Sequence, residues 1–274
     1  MTKPITQKQQ EILKLLYKYR FLNRIQIQTF LNHKYHKRIN DWLNDLTKKE
    51  YTGRIYSNTL GENTKPAIYY IEKNGIGFLK TEFNFSSEHL QRLYRDNERS
   101  EDFIDQCILM GDIFLELRDV SIQSRKKESK GEITYIASTA IDLANHDHPL
   151  NFLTELKPDL LIKKVSRKKT VKKTKTIYYL LTVFSPTLPK YSVRKRIKDF
   201  ISFYNSGEWE DNGKNPFPVV MIICPTLSTL IYSKRFARRL LAEEDNMKNF
   251  VIHFTTFDQI KKHGVDDHIW EPVN

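Results

Sequence analysis

Glycine is scarce in this chain, with nine residues in 274, and no Gly-x-x-x-x-Gly-Lys or Gly-x-Gly-x-x-Gly pattern occurs. A phosphate cradle of the nucleotide-binding kind needs glycines at fixed spacing so that the backbone can approach the phosphates. Their absence argues against nucleotide-driven motor activity, and no cofactor is expected. Cysteine is scarcer still. Cys107 and Cys224 sit among apolar neighbours without the paired spacing of a zinc site, which suits buried free thiols in a reducing compartment. No apolar run approaches the length needed to span a bilayer, and the basic N-terminus shows no signal-peptide pattern. The expected location is therefore the cytoplasm, with no membrane partner. Internal repeats are absent, and no serine or cysteine nucleophile with a histidine base is indicated.

Positive charge, by contrast, is plentiful. Lysine and arginine number 45 against 33 acidic residues, a formal net charge of +12. Such a surface favours polyanions, and phosphate contacts would make its affinity salt-dependent. Nucleic acid is the expected partner, ahead of an acidic small substrate.

The N-terminal third has a pattern that fits this partner. Ile12, Leu15, Leu16 and Tyr19 recur at helical spacing, and Asn23 can cap a shorter helix carrying Ile25, Ile27 and Phe30. A third helix, Tyr35 to Lys48, gathers Ile39, Trp42, Leu43 and Leu46 on one face. Lys34, Tyr35, His36, Lys37, Arg38 and Asn40 cluster near its start. Tyr51 to Asn58 then reads as a strand, Leu60 to Pro66 as a turn, and Ala67 to Ile71 as the returning strand. Three short helices followed by a basic two-stranded ribbon make a winged helix-turn-helix. The stretch Tyr69 to Leu79 resembles the wing strand and following helix of many bacterial winged-helix regulators. In that arrangement the third helix enters the major groove, while Arg54, Tyr56 and Lys65 hold the flanking backbone. The alternative is a small structural module whose basic face is merely solvated.

A winged helix accounts for residues 1–82 and leaves room for a second domain. Residues 83–99 read as a connection, with a helix from Ser87 to Asp96. Residues 100–274 read as a mixed α/β domain. A long helix from Glu101 to Leu117 comes first, followed by possible strands at Arg118 to Gln123 and Ile133 to Ala137. Apolar runs at Asp159 to Val165, Ile177 to Phe184, Val219 to Cys224 and Phe250 to Phe254 then alternate with helices at Ser192 to Ser206 and Leu227 to Glu243. Phe257 to Lys262 gives a last short helix and His263 to Asn274 a polar tail.

The order of these elements, with Pro158-Asp159 opening a strand, resembles the restriction-endonuclease-like nuclease core. There an aspartate and a following acidic-x-lysine motif hold a divalent metal. Leu180 to Thr187, followed by Arg196, Ile197 and Phe200, resembles the second-domain signature of the replication-relaxation family of bacterial plasmids and mobile elements. That family joins a winged helix to a nuclease-like domain, so the resemblance covers most of the chain. Thr182 stands where the family has glutamate, Phe184 where it has aspartate, Arg196 for the lysine and Phe200 for the tyrosine. Only Asp159 and Thr187 match the polar positions. A hydroxyl and a phenyl ring cannot replace two carboxylates around a metal. Asp159 is thus a weak candidate ligand standing alone, and the resemblance implies a catalytically inactive nuclease core.

Several basic groups decorate the second domain. Lys163, Lys164, Arg167, Lys168, Lys169, Lys172, Lys173 and Lys175 fall between two apolar runs and read as a finger along phosphates, or else as a solvated loop. Arg194, Lys195, Arg196 and Lys198 form a second group, and Lys234, Arg235, Arg238 and Arg239 a third. His146-Asp147-His148 and the cluster of His263, Asp266, Asp267 and His268 read as turn chemistry, because adjacent loop residues seldom converge on one metal.

Together these features describe a DNA-binding protein of a bacterial plasmid, conjugative element or prophage. It would act in replication, copy-number, transfer or transcription control, binding double-stranded DNA as a homodimer. One rival is a metal-dependent nuclease built from Asp159 with Glu101, Asp102 or Glu155. Another is an adaptor that recruits a replication initiator or relaxase.

Overall fold

The computed structural model describes residues 4–57, 59, 64–83, 85, 87–126, 132–145, 147–167, 174–212, 215–244, 247, 249–265 and 267–273. The chain is mixed α/β and divides into two compact units, Met1–Leu115 and Glu116–Asn274.

The first unit opens with helix α1 (Gln7–Tyr19), strand β1 (Leu22–Asn23), α2 (Arg24–Phe30) and α3 (His36–Lys48). Strands β2 (Thr52–Ile55) and β3 (Ile68–Ile71) follow, then α4 (Lys73–Phe83), α5 (Ser87–Leu93), a single 3-10 turn at Asp96–Glu98 and the first part of α6 (Glu101–Lys126). The three strands form an antiparallel sheet in the order β1-β3-β2.

Two helices begin in the same way. Thr6 caps α1 and Asn23 caps α2, and in each case a glutamine three residues later returns a side-chain hydrogen bond to the cap backbone. Each glutamine carbonyl oxygen is thereby occupied, and its amide NH2 is left pointing at a neighbouring helix. Gln9 Nε2 donates to Asp45 Oδ2 of α3 at 2.7 Å. Gln26 Nε2 donates to Ile108 O and to Asp112 Oδ1 of α6, both at 2.7 Å. Both glutamines are buried, so these acceptors supply their amide groups with the partners that water would otherwise provide. Gly111 permits this approach. A Cβ there would lie 3.0 Å from both Gln26 Nε2 and Leu22 Cδ2.

Around these polar ties, Ile12, Leu13 and Leu16 of α1, Ile27 of α2 and Ile39, Leu43 and Leu46 of α3 are fully buried. Tyr19, Phe30 and Phe114 add an aromatic trio with ring centroids 4.8–5.6 Å apart. Ile25, expected on the apolar face of α2, is instead 50% exposed. Residues 25 and 27 lie about 200° apart around a helix, so only one of them can face the core.

Behind α1, Asp96 is fully buried and forms an ion pair with Arg20, with Arg99 Nε 3.7 Å away. The guanidinium groups of Arg20 and Arg99 lie 4.7 and 5.1 Å from the Phe103 ring centre. The expected helix from Ser87 to Asp96 is therefore shorter, and the segment after it is pinned through Asp96.

The second unit continues α6 and then forms β4 (Glu132–Thr139), α7 (Ala140–Leu143), a 3-10 turn at Asn151–Thr154, β5 (Leu160–Arg167) and β6 (Thr174–Val183). Next come α8 (Lys190–Asn205), α9 (Glu208–Asn212), β7 (Val219–Cys224), α10 (Leu227–Glu243), β8 (Ile252–Thr256), α11 (Phe257–His263), a 3-10 turn at Asp267–Ile269 and β9 (Glu271–Pro272). Six strands stand in the order β4-β5-β6-β7-β8-β9. The β4-β5-β6 pairings are antiparallel, β6-β7-β8 are parallel, and β9 returns antiparallel. Helices α8 and α10 make the crossovers that parallel pairing requires. They pack Val193, Ile197, Phe200, Leu230 and Phe236 against Leu180, Val220, Ile222 and Phe254 of the sheet.

Two sequence expectations fail in this unit. Arg118 to Gln123, expected as a strand, belongs to α6, in which no glycine or proline follows Gly111. There Ser121 Oγ accepts the Tyr135 N–H at 2.9 Å and Ser124 Oγ accepts the Ile133 N–H at 2.6 Å. These serines close the outer edge of β4, which would otherwise present unpaired donors. The C-terminal stretch expected as a polar tail instead buries Ile269 and Trp270 and adds β9. Among the described residues, no helix is long and apolar enough to cross a membrane.

Replacing Gln26 by alanine removes a cap hydrogen bond and the donor to the Asp112 carboxylate. Burial already raises the Asp112 pKa, and the Gln26 hydrogen bond opposes that rise. Gln26→Ala is expected to lower the unfolding free energy by about 1–3 kcal/mol in denaturant titrations near neutral pH. An unchanged midpoint and slope would show that the amide bridge contributes nothing.

Candidate nucleic-acid interface

Helix α3 is the element on which the predicted base-reading residues sit. Its buried stripe of Ile39, Leu43 and Leu46 leaves the opposite face outward. Lys34, Tyr35, His36, Lys37 and Arg38 are all exposed, and Asn40 is half-buried. Tyr35, at 64% exposure, occupies the N-cap position and makes no side-chain cap bond. Its ring stands out beside the cations, with Lys34 Nζ 5.7 Å from the ring centre.

The turn that leads into α3 is held by two residues that the sequence pattern did not single out. Gln28 Nε2 donates to the His33 carbonyl at 3.0 Å. His33 Nδ1 accepts the Tyr35 N–H at 3.2 Å, and its ring stacks edge-on against Trp42 with centroids 5.0 Å apart. Asn32 takes a positive φ of 48°, a conformation asparagine tolerates better than most side chains. The approach of the chain to α3 is thus fixed by side chains as well as by backbone.

The β2–β3 pair carries the predicted backbone contacts. Arg54, Tyr56 and Lys65 are exposed. Arg54 stands opposite Tyr69 in the register and hydrogen-bonds its buried hydroxyl, and its guanidinium carbon lies 4.6 Å from the Tyr56 ring centre. Burial raises the Tyr69 pKa, and the nearby charges of Arg54 and Arg24 oppose the rise. The close contact between β2 and β3 at this point depends on Gly53, since a Cβ there would fall 2.1 Å from the Tyr70 ring.

In the second unit, positions that the family resemblance singled out converge on one point. Asp159 Oδ2 accepts the Val183 N–H at 2.7 Å, and its own N–H donates to Leu181 O at 2.9 Å. Arg196, on α8, donates to the carbonyls of Leu156 and Lys157 and to Thr182 Oγ1, the last at 3.2 Å, and its charge attracts the Asp159 carboxylate. Phe184 and Phe200 are buried in the core, and the Arg196 guanidinium lies 4.8 Å from the Phe200 ring centre. Thr187 is exposed and hydrogen-bonds Ser185 at 2.9 Å. Burial pushes the Asp159 carboxyl up to about 6, against the opposing effects of the Val183 N–H and Arg196. The same burial lowers the Arg196 pKa. The group is a carboxyl, a hydroxyl and a guanidinium, not a ring of carboxylates.

No family model, curated protein or solved structure matches the chain.

The remaining predicted residues do not gather. Lys168, Lys169, Lys172 and Lys173 lie outside the described residues, as do His146 and Asp266. Of the flanking finger positions, Lys163 and Lys164 are consecutive on β5 and lie on opposite faces, over Tyr178 and Tyr135 respectively. These two cations therefore do not share a face. His148 accepts the Leu150 N–H at Nδ1 and lies 3.2 Å from Ser138 Oγ at Nε2, which makes it part of a turn. The His263 and His268 rings meet edge-on at 5.0 Å. Glu155 and Glu101 are exposed, and Asp102 opens α6 in the first unit. Among the described residues, no three histidine, cysteine or acidic side chains are grouped as metal ligands would be.

The raised Asp159 pKa has a definite pH signature. A carboxyl at about 6 in the folded chain, against an ordinary value of 3.8, favours folding most below pH 4, and that contribution is lost as pH rises through 6. Relative to Asp159→Asn, which keeps an acceptor for Val183, the native protein is expected to lose about 2 kcal/mol of stability between pH 4 and 7. Parallel stability curves for the two proteins over that range would contradict the assignment.

Proposed function

We propose that the chain is a sequence-specific double-stranded DNA-binding protein of a bacterial mobile element, reading its site through a winged helix-turn-helix in the first unit. The observation that carries this reading is the exposed set Lys34, Tyr35, His36, Lys37 and Arg38 at the start of α3, on a helix whose opposite face is fully buried. A helix so oriented can insert its first turns into a major groove without exposing core. Arg54 and Lys65 supply phosphate contacts, and the net charge of +12 makes the association salt-dependent. Tyr56 holds the Arg54 guanidinium in place by stacking against it.

In the proposed reading the second unit is a degenerate nuclease-like domain without hydrolytic activity. The supporting argument is chemical. Asp159 is engaged by the Val183 amide, and the guanidinium of Arg196 already supplies the compensating positive charge. A hard divalent cation needs several anionic oxygens, and Thr182 and Phe184 supply none. Control of replication, copy number, transfer or transcription belongs to this proposal through the family resemblance, and binding as a homodimer through the winged-helix reading; recruitment of a replication initiator or relaxase belongs to the rival adaptor reading.

Selection from randomised duplex DNA in the presence of magnesium tests the reading, and a retained motif is the expected outcome. On that motif, Lys37→Ala with Arg38→Ala is expected to cost about 1–3 kcal/mol for each hydrogen-bonded base that the pair no longer reads, whereas Arg54→Ala with Lys65→Ala weakens all sequences alike. Equal weakening on specific and random duplexes for both pairs would show that α3 reads no sequence. Magnesium-dependent shortening of the duplexes, abolished by Asp159→Ala, would overturn the inactive assignment.

A further inference from the structure

One groove in the second unit combines features that DNA binding through α3 leaves unexplained. It lies between the beginnings of α8 and α10 and has a volume of about 530 Å³. The volume is within the usual range for small-molecule sites.

The walls are of two kinds. Val193, Leu227 and Ile231 contribute apolar surface, and the last two remain 62% and 41% exposed. Lys190 and Arg235 contribute charge, and among the described residues no acidic one lines the groove. The cations along α10 differ in this respect. Lys234 is paired with Glu271 at 2.8 Å and Arg239 faces Glu243 at 3.9 Å, whereas Arg235 borders the groove. Lys190 Nζ lies 5.3 Å from the centre of the Tyr232 ring, so an aromatic face and an ammonium group stand side by side.

We propose that this groove binds a small organic anion, a single carboxylate, phosphate or sulfonate group carried on an apolar body. Lys190 and Arg235 meet the charged group, and Ile231, Leu227 and Val193 cover the apolar part, with the Tyr232 ring between them. Charge complementarity selects an anion, and the apolar walls exclude a bare inorganic one. The site is independent of α3 and is tested without DNA.

The probe is 8-anilino-1-naphthalenesulfonate, an aromatic sulfonate whose fluorescence rises in apolar surroundings, titrated into the full chain. Saturable binding is expected, with displacement by octyl phosphate at concentrations at which inorganic phosphate and 1-octanol have no effect. Lys190→Glu with Arg235→Glu, and separately Ile231→Glu, are each expected to weaken the probe by about tenfold or more. These positions are exposed, and thermal melting matching the native protein checks that each variant is folded; Lys190→Gln with Arg235→Gln serves if the charge reversal is not. Unchanged probe affinity in the folded variants would overturn the proposal. Displacement by octanol as readily as by octyl phosphate would also overturn it, pointing instead to an apolar surface for a macromolecular partner.

Discussion

The first unit depends on buried amides that each satisfy two helices at once. Gln26 closes the cap of α2 with its carbonyl oxygen and gives its NH2 to α6, and Gln9 does the same between the cap of α1 and α3. A buried amide left half-satisfied is costly, so the two helices joined by it have little freedom to slide. The apolar stripe of α3 is buried together with Ile12, Leu13 and Leu16 of α1, while the Gln9 amide ties the two helices in register. This rigidity matters for the proposed function, because base readout requires side chains delivered to within a fraction of a bond length.

The second unit solves a different problem. Its sheet changes from antiparallel to parallel pairing at β6, and both edges are closed by short devices. The serines of α6 cap the donors of β4, and the two-residue β9 covers β8. Near the centre lie Asp159 and Arg196, whose mutual attraction offsets part of the cost of burying each of them. Arg196 also accounts for carbonyls at the Leu156–Lys157 turn, where Lys157 has a φ of 48°. In this environment the aspartate acts as a structural acceptor for Val183, and the arginine as a clamp on the turn.

Much of the architecture could be read directly from the residues. Helix α10 and strand β7 match their predicted bounds, Leu227–Glu243 and Val219–Cys224, because a clear apolar period is bracketed by a threonine cap and by proline. The exposed start of α3 followed from the one-sided distribution of Ile39, Leu43 and Leu46. The misses have physical causes. Ser121 and Ser124 gave no strand or helix signal of their own, and α6 runs on because its side chains find partners on β4. The Thr6–Gln9 box carries a sequence signature that was available, but the second hydrogen bond of Gln9 was not, since it depends on Asp45 thirty-six positions away.

Local chemistry, then, determined where helices start, which faces are apolar, and that the chain carries an excess of positive charge, since each of these is a property of residues within a few positions of one another. Tertiary structure alone decided that Ile27 rather than Ile25 is buried, that Gln9 reaches Asp45 and Gln26 reaches Asp112, that Asp159, Thr182 and Arg196 meet, and that Lys190 and Arg235 share a groove. Those facts depend on which elements pack together, and packing is a sum over distant partners that no single stretch of sequence contains.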